Sequence, residues 1–278
     1  MTSAEQLIDF DRLQQLVQTG TGAGVRIAIL DTGVDAAHPA LERAVRGCSE
    51  VIFSGGRLVC RDSDGGDSVG HGTACAGIIH EIAPEAELHS VRVMGANASG
   101  TIEQLTYGLR WAIREGFDIV NLSLGTVQRK QIQTLHDLVD EAYFKGVLLI
   151  SAANNNRQVS FPAQFASLVA VDNQSFKEPL EFHYLLGRPV EIVANGIYVR
   201  APSPGGKYRW FTGTSFACPH ITGLAARLKS EIPDLTPFQL KSLLFSLRAN
   251  SPSNARSLEG ASPPIEVASA KSADESRH

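Results

Sequence analysis

Three short stretches of this 278-residue chain hold side chains whose types could do chemistry together. Asp31 opens "DTGVD" directly after the apolar run "VRIAIL" (25–30), His71 lies in "GHGTACAGII", and Ser215 lies in "GTSFACPH". An alcohol is a poor nucleophile at neutral pH and needs a neighbouring base to take its proton. An imidazole suits that task, and a carboxylate can hold the imidazole in the right tautomer. Alone, each residue has a plainer reading. Asp31 could cap a turn, His71 could be a core histidine, and Ser215 could be a helix N-cap. The surroundings of Ser215 favour chemistry. A helix N-terminus offers unpaired N–H groups and the positive end of a dipole, while Gly213 and Ala217 leave the hydroxyl accessible. Pro219 is expected in the first turn, where a missing N–H costs nothing.

The elements that must position these residues alternate along the chain. "VRIAIL" (25–30), "VRVM" (91–94), "DIVNLSL" (118–124), "VLLIS" (147–151) and "LVAV" (168–171) read as buried strands. Between them, Ile102, Leu105, Leu109, Ala112 and Ile113 repeat at helical spacing before Gly116, and Ile132, Leu135, Leu138, Val139 and Ala142 do so before Gly146. This order predicts an α/β fold, a mostly parallel twisted sheet with helices on both faces. Residues 185–212, broken by Gly and Pro, predict a small antiparallel patch near the C-terminal third. Two helices follow, the second with Thr236 as N-cap, Pro237 at its first position and Gln239 completing a capping box. "GTGAG" (20–24) precedes a strand instead of following one, so it is a turn and not a dinucleotide loop. Residues 1–19 are expected to be a helical extension, 20–250 the main domain, and 251–278, rich in Ser, Ala and Pro, a disordered tail.

The order Asp31, His71, Ser215 is one of the known chain orders of the hydrolytic triad, the one found in subtilisin. With "DTGVD", "GHGT" and "GTSFACPH" on the expected elements, the chain resembles the subtilisin-like serine proteases from about residue 20 to about 248. The resemblance implies the subtilisin-like three-layer fold and hydrolysis of peptide bonds through an acyl-enzyme intermediate. Ser215 would be the nucleophile, His71 the general base and Asp31 its orienting carboxylate. In "SAANNNR" (151–157), Asn155 matches the family's oxyanion-hole asparagine, with the Ser215 N–H as second donor. Asn154 stands where the family prefers glycine, which leaves Asn154 as an alternative, and counting from Gly146 favours Asn155. A peptide or protein substrate would bind as an extended strand between "NASG" (Asn97, Ala98, Ser99, Gly100) and "SLG" (Ser123, Leu124, Gly125). Ala152 and Ala153 would line the primary pocket, with its floor near Ser160.

Two departures from the family bear on metals. "ACAGIIHEIAPEAEL" leaves no room for the calcium loop many members insert after the catalytic histidine, and Ala40 replaces the aspartate usually found after "HP". The high-affinity calcium site is therefore expected to be missing, and no metal or other cofactor is expected. Asp62, Asp64 and Asp67 could be read as calcium ligands. A solvated loop at the cleft mouth is the preferred reading, with Asp67 biasing the pocket beside His71 toward basic side chains.

Net charge of −4 offers nothing to phosphate backbones or anionic lipid, so no nucleic-acid or membrane partner is expected. The first residues lack a basic region and an unbroken apolar run, so no signal peptide or prodomain is expected before the triad, and a cytoplasmic location is expected. Cys48, Cys60, Cys75 and Cys218 make no metal spacing. Cys48 and Cys60 could flank a hairpin turning at Ser54-Gly55-Gly56, but free thiols are expected. Cys75, one turn beyond His71, resembles the family branch with a thiol beneath that histidine. Cys75 and Cys218 should both face the core and stay inert. Alternatives to a general protease are a processing enzyme for one precursor, a catalytically silent peptide-binding module, and an esterase. The last would more naturally show G-x-S-x-G.

Overall fold

The computed structural model describes residues 9–41, 43–130 and 132–249. The order is α1 (Phe10–Thr19), β1 (Arg26–Asp31), β2 (Val45–Ser54), β3 (Arg57–Asp62), α2 (His71–Ile82), β4 (Glu87–Arg92), α3 (Ile102–Arg114), β5 (Ile119–Leu122), α4 (Ile132–Phe144) and β6 (Leu148–Ala152). Then come β7 (Val169–Gln174), β8 (Phe182–Tyr184), β9 (Ile192–Asn195), β10 (Val199–Ser203), β11 (Lys207–Phe211), α5 (Thr214–Glu231) and α6 (Pro237–Leu247).

The main sheet runs β3-β2-β4-β1-β5-β6-β7-β9-β8. Its interior pairs are parallel, and β3 and β8 close the edges antiparallel. Strand side chains alternate between faces, and β1 shows the result. Ile27 and Ile29 join a core with α1, α2, α5 and α6, whereas Ala28 and Leu30 join a second core with α3 and α4. This is the three-layer arrangement expected. The strand anticipated at 91–94 begins earlier, at Glu87, because its alternating sequence "ELHSVR" hides its period among polar residues. The antiparallel patch divides in two: β8 pairs with β9 in the main sheet, and β10 with β11 in a separate ribbon. Both anticipated glycine stops hold, Gly116 and Gly146 adopting positive φ, and the Thr236 capping box is complete. "GTGAG" forms the turn into β1.

Helix α1 is seated on α5, with Leu13 buried and the Arg227 guanidinium donating to the Val17 carbonyl at 2.7 Å. Helices α2 and α5 approach closely because Gly223 lacks a side chain: a Cβ there would lie 2.7 Å from that of Ile82. The β2–β3 hairpin turns at Gly55-Gly56, both at positive φ. Cys60 sits opposite Val51, out of register with Cys48, and all four thiols are free. No described helix is long and apolar enough to cross a membrane. The anticipated tail, 251–278, lies outside the described residues, as do residues 1–8.

Candidate active site

Asp31 ends β1 at the carboxyl edge of the parallel sheet, where open α/β folds place their sites. His71 begins α2, after Gly70 in the left-handed conformation. Gly72 brings the two together. A Cβ at Gly72 would stand 2.1 Å from the Gly33 carbonyl oxygen and 3.0 Å from Asp31 Cβ, so any other residue would push the histidine off the strand end. The result is a hydrogen bond of 2.7 Å from His71 Nδ1 to Asp31 Oδ1. The Asp31 side chain is wholly buried and that of His71 is 21% exposed. Burial by itself would lower the His71 pKa, but the Asp31 carboxylate outweighs it and holds the imidazole well above the usual histidine value.

Ser215 is the second residue of α5, and Gly213 precedes the helix at φ 151, a conformation glycine tolerates. The Ser215 hydroxyl donates to the Ser123 carbonyl at 3.0 Å and is not bonded to His71 in this structure. Its neighbourhood is nonetheless that of the imidazole. The Phe216 ring lies 5.2 Å from the His71 ring, and Cys75, one turn along α2 from His71, donates its S–H to the Ser215 carbonyl at 3.4 Å. Rotation about χ1 redirects the hydroxyl, and such bonds commonly tighten only with substrate bound.

Pro219 proves to lie in the second turn of α5, not the first. It therefore withholds an N–H that the Ser215 carbonyl would normally accept. That carbonyl is satisfied from outside the helix by Ser123 Oγ at 2.8 Å and by Cys75. Behind Ser123 runs a buried chain of donors: Thr222 Oγ1 to Asn121 Oδ1 at 2.8 Å, then Asn121 Nδ2 to Ser123 Oγ at 2.9 Å. Sequence reasoning passed over Asn121. A polar residue in the otherwise apolar strand "IVNL" was the available signal, since a buried amide must be bonded.

Asn155 and Asn154 part company in the structure. The Thr214 N–H donates to Asn155 Oδ1 at 2.9 Å, which identifies that atom as oxygen and leaves the Asn155 amide N–H groups free to donate. Asn154 turns its own oxygen to the Asn156 N–H at 2.8 Å, closing a local turn. The Ser215 N–H, at the start of α5, has no intrahelical partner.

Beside Ser215 is a cavity of about 140 Å³ lined by Ser123, Leu124, Gly125, Ala152, Ala153 and the buried Ser160, with Asn154 and Asn155 at its margin. No charged residue lines it. Leu124 and Gly125 also border a second cavity of about 390 Å³, whose far wall includes Ala98, Ser99, Gly100, Ile102 and Leu105. Asn97, expected on that wall, lies instead in a turn closed by the Gly95 N–H on the Ser99 carbonyl at 2.8 Å, and it borders neither cavity. Asp67, expected at the cleft mouth, is buried and accepts from backbone and hydroxyl donors. It does not charge the pocket.

Asp31, His71 and Cys75 bring three potential metal donors within 4.8 Å of one another. Burial pushes the Cys75 and Cys218 thiols up, so both stay protonated at neutral pH, and His71 Nδ1 is committed to Asp31.

The Subtilase family model matches residues 22–258, and the chain belongs to that family. It is 35% identical over 235 residues to Subtilisin Savinase of Lederbergia lenta, covering 81% of this chain and 83% of that one. It is also 35% identical to an alkaline protease of Alkalihalobacillus alcalophilus over 81% of its own length, and spans 59% of that longer relative. A cold-adapted subtilisin-like serine proteinase of known structure superposes with a TM-score of 0.69 at 28% identity, over 82% of this chain and 83% of that one. The chain is thus a subtilisin-like serine endopeptidase, a hydrolase of peptide bonds.

Proposed function

We propose that Ser215 attacks the scissile carbonyl, that His71 takes its proton and returns it to the leaving amine, and that Asp31 stabilises the imidazolium formed in between. The observation that carries this reading is the 2.7 Å His71–Asp31 bond beside a serine at the start of a helix. The oxyanion of the tetrahedral intermediate would be held by the Asn155 amide and the Ser215 N–H. Because the base must be neutral to act, and Asp31 raises its pKa, activity should favour alkaline pH, in keeping with the name of the relative from Alkalihalobacillus alcalophilus. The test is a fluorophosphonate: covalent adduct on Ser215, lost in Ser215→Ala, supports the assignment, and an intact serine under alkaline conditions refutes it.

The substrate would lie extended between residues 99–100 and 123–125, its side chain before the scissile bond entering the 140 Å³ cavity. A pocket that small, walled by alanines and floored by Ser160, suits small to medium uncharged side chains. A peptide library checks this. The same library separates broad proteolysis from trimming of a single precursor: a strict requirement for one sequence would favour the latter.

We also propose that activity needs no tightly bound calcium. Only residues 83–86 separate α2 from β4, which supports the reading that no metal loop is inserted there. Loss of activity on chelation would overturn it. A reducing, cytoplasmic setting is the matching proposal, supported by four unpaired thiols, and cell fractionation tests it.

A further inference from the structure

Asp67 lies four residues before His71, in the loop that leads into α2, and is only 7% exposed, yet it makes no ion pair with a described residue. Its charge is met by five donors. Oδ1 accepts from the Val69 N–H at 3.1 Å, the Gly70 N–H at 2.8 Å and the Thr32 hydroxyl at 2.8 Å. Oδ2 accepts from the Thr73 N–H at 2.9 Å and the Thr73 hydroxyl at 2.7 Å. Four of these bonds tie down the start of α2. The fifth, from Thr32, has nothing to do with the helix.

The Thr32 hydroxyl has one proton and two carboxylates within reach: Asp67 Oδ1 at 2.8 Å and Asp31 Oδ1 at 3.2 Å. Its oxygen already accepts the Gly72 N–H at 3.1 Å. Asp31 Oδ1 is the oxygen that faces His71, and it also accepts the Thr32 N–H at 2.7 Å. We propose that Asp67 is a positioning residue for the hydrolytic relay, drawing the Thr32 hydroxyl proton to itself so that the Asp31 oxygen facing His71 serves two donors and not three. A third donor would neutralise part of the charge Asp31 directs at the imidazolium. Withdrawn, the same hydroxyl uses its lone pair to anchor Gly72, the residue that seats His71 against the strand. One threonine thus serves both ends of the pair, and Asp67 decides which way it points.

The proposal rests on the assignment of Asp31 and His71 above. The ionisable groups facing the imidazole are Asp31 from β1 and Cys75 from its own helix, while α5 presents Ser215 and Phe216, which do not titrate in the working range.

The test compares Asp67→Ala, Thr32→Val and the double variant by kcat/KM against pH on a peptide substrate, with thermal unfolding measured in parallel. In Asp67→Ala the freed hydroxyl turns to Asp31, so kcat should fall roughly tenfold and the acid limb should move down by about half a pH unit. Thr32→Val should leave the limb near its wild-type position, and the double variant should restore the limb without restoring thermal stability. A helix cap and nothing more would lower the unfolding temperature and leave the limb in place, which would overturn the proposal. So would a downward shift that survives removal of the Thr32 hydroxyl. If Asp67→Ala does not fold, neutron diffraction of the deuterated wild-type protein decides: a deuteron between Thr32 and Asp67 supports the proposal, and one directed at Asp31 overturns it. Failure of the underlying assignment would show separately, as unimpaired hydrolysis by Ser215→Ala.

Discussion

Pro219 has no N–H to return to the Ser215 carbonyl one helical turn earlier, and the Ser123 hydroxyl takes that acceptor at 2.8 Å instead. The backbone of the candidate nucleophile is therefore tied to the strand side of the cleft as well as to its own helix. Ser123 in turn accepts the Ser215 hydroxyl through its carbonyl, so one residue contacts both polar ends of the serine.

Ser123→Ala should therefore lower stability by about 1–2 kcal/mol, the cost of a buried acceptor losing its main donor, and lower kcat by more than it raises KM. Adding Pro219→Ala restores a helical N–H able to reach that carbonyl, and should recover part of the stability. Denaturant unfolding of the single and double variants checks both. Additive losses would show that the two residues do not share the Ser215 carbonyl.

The acid limb of kcat/KM should lie above pH 6.5, because the neutral imidazole is the active form and Asp31 raises its pKa. Activity should rise as pH increases through that limb. Asp31→Asn should move the limb to lower pH while reducing kcat by roughly ten thousandfold, a magnitude known from trypsin-like enzymes. A limb that stays in place in Asp31→Asn would mean the carboxylate does not set the base.

Asn155→Ala should cost roughly a hundred- to a thousandfold in kcat with little change in KM, the magnitude known for subtilisin's own oxyanion asparagine. Asn154→Ala should cost far less, since its side chain caps a local turn. Steady-state kinetics on one substrate distinguish the two, and a reversed order would move the assignment to Asn154.

Acid should destabilise the fold through His220. Burial lowers its pKa from 6.5 to about 4 while its Nδ1–H donates to the Phe216 carbonyl at 2.8 Å. Between those values the unfolded chain binds a proton that the native protein refuses, so stability falls as pH drops from 6.5 to 4, by up to about 3 kcal/mol. His71 has the opposite shift: its stabilisation is complete below pH 6.5 and is lost only on the alkaline side, so it does not mask this window. Urea unfolding at several pH values measures the slope, and His220→Gln should flatten it.

Much of this architecture was legible because its signals are local. Strand β1 carries the apolar run 27–30, α3 and α4 repeat at helical spacing, and Asp31, His71 and Ser215 sit in short motifs at element ends. What escaped was pairwise and long-range. Nothing near Asp67 announces that its partner is Thr32, 35 residues earlier in the chain, and an acidic residue among "DSDGGD" looks solvated until the chain is folded. Pro219 was misplaced because the helix begins earlier than a serine N-cap would imply, at Thr214, with Gly213 in the capping place. Asn97 was placed on the substrate wall by the family resemblance alone, which does not show that the segment closes on itself through the Gly95–Ser99 bond.

The glycine at 223 carries a consequence for the reaction centre. It lies eight residues beyond Ser215, roughly 12 Å along the helix, and lets α5 rest directly on Ile82 of α2. Since one helix bears the hydroxyl and the other the imidazole, the clearance between those groups is gauged by how deeply two rods nest where the middle of α5 meets the last residue of α2. A single methyl inserted there would act as a wedge on a pair of tongs, opening the jaws without touching them.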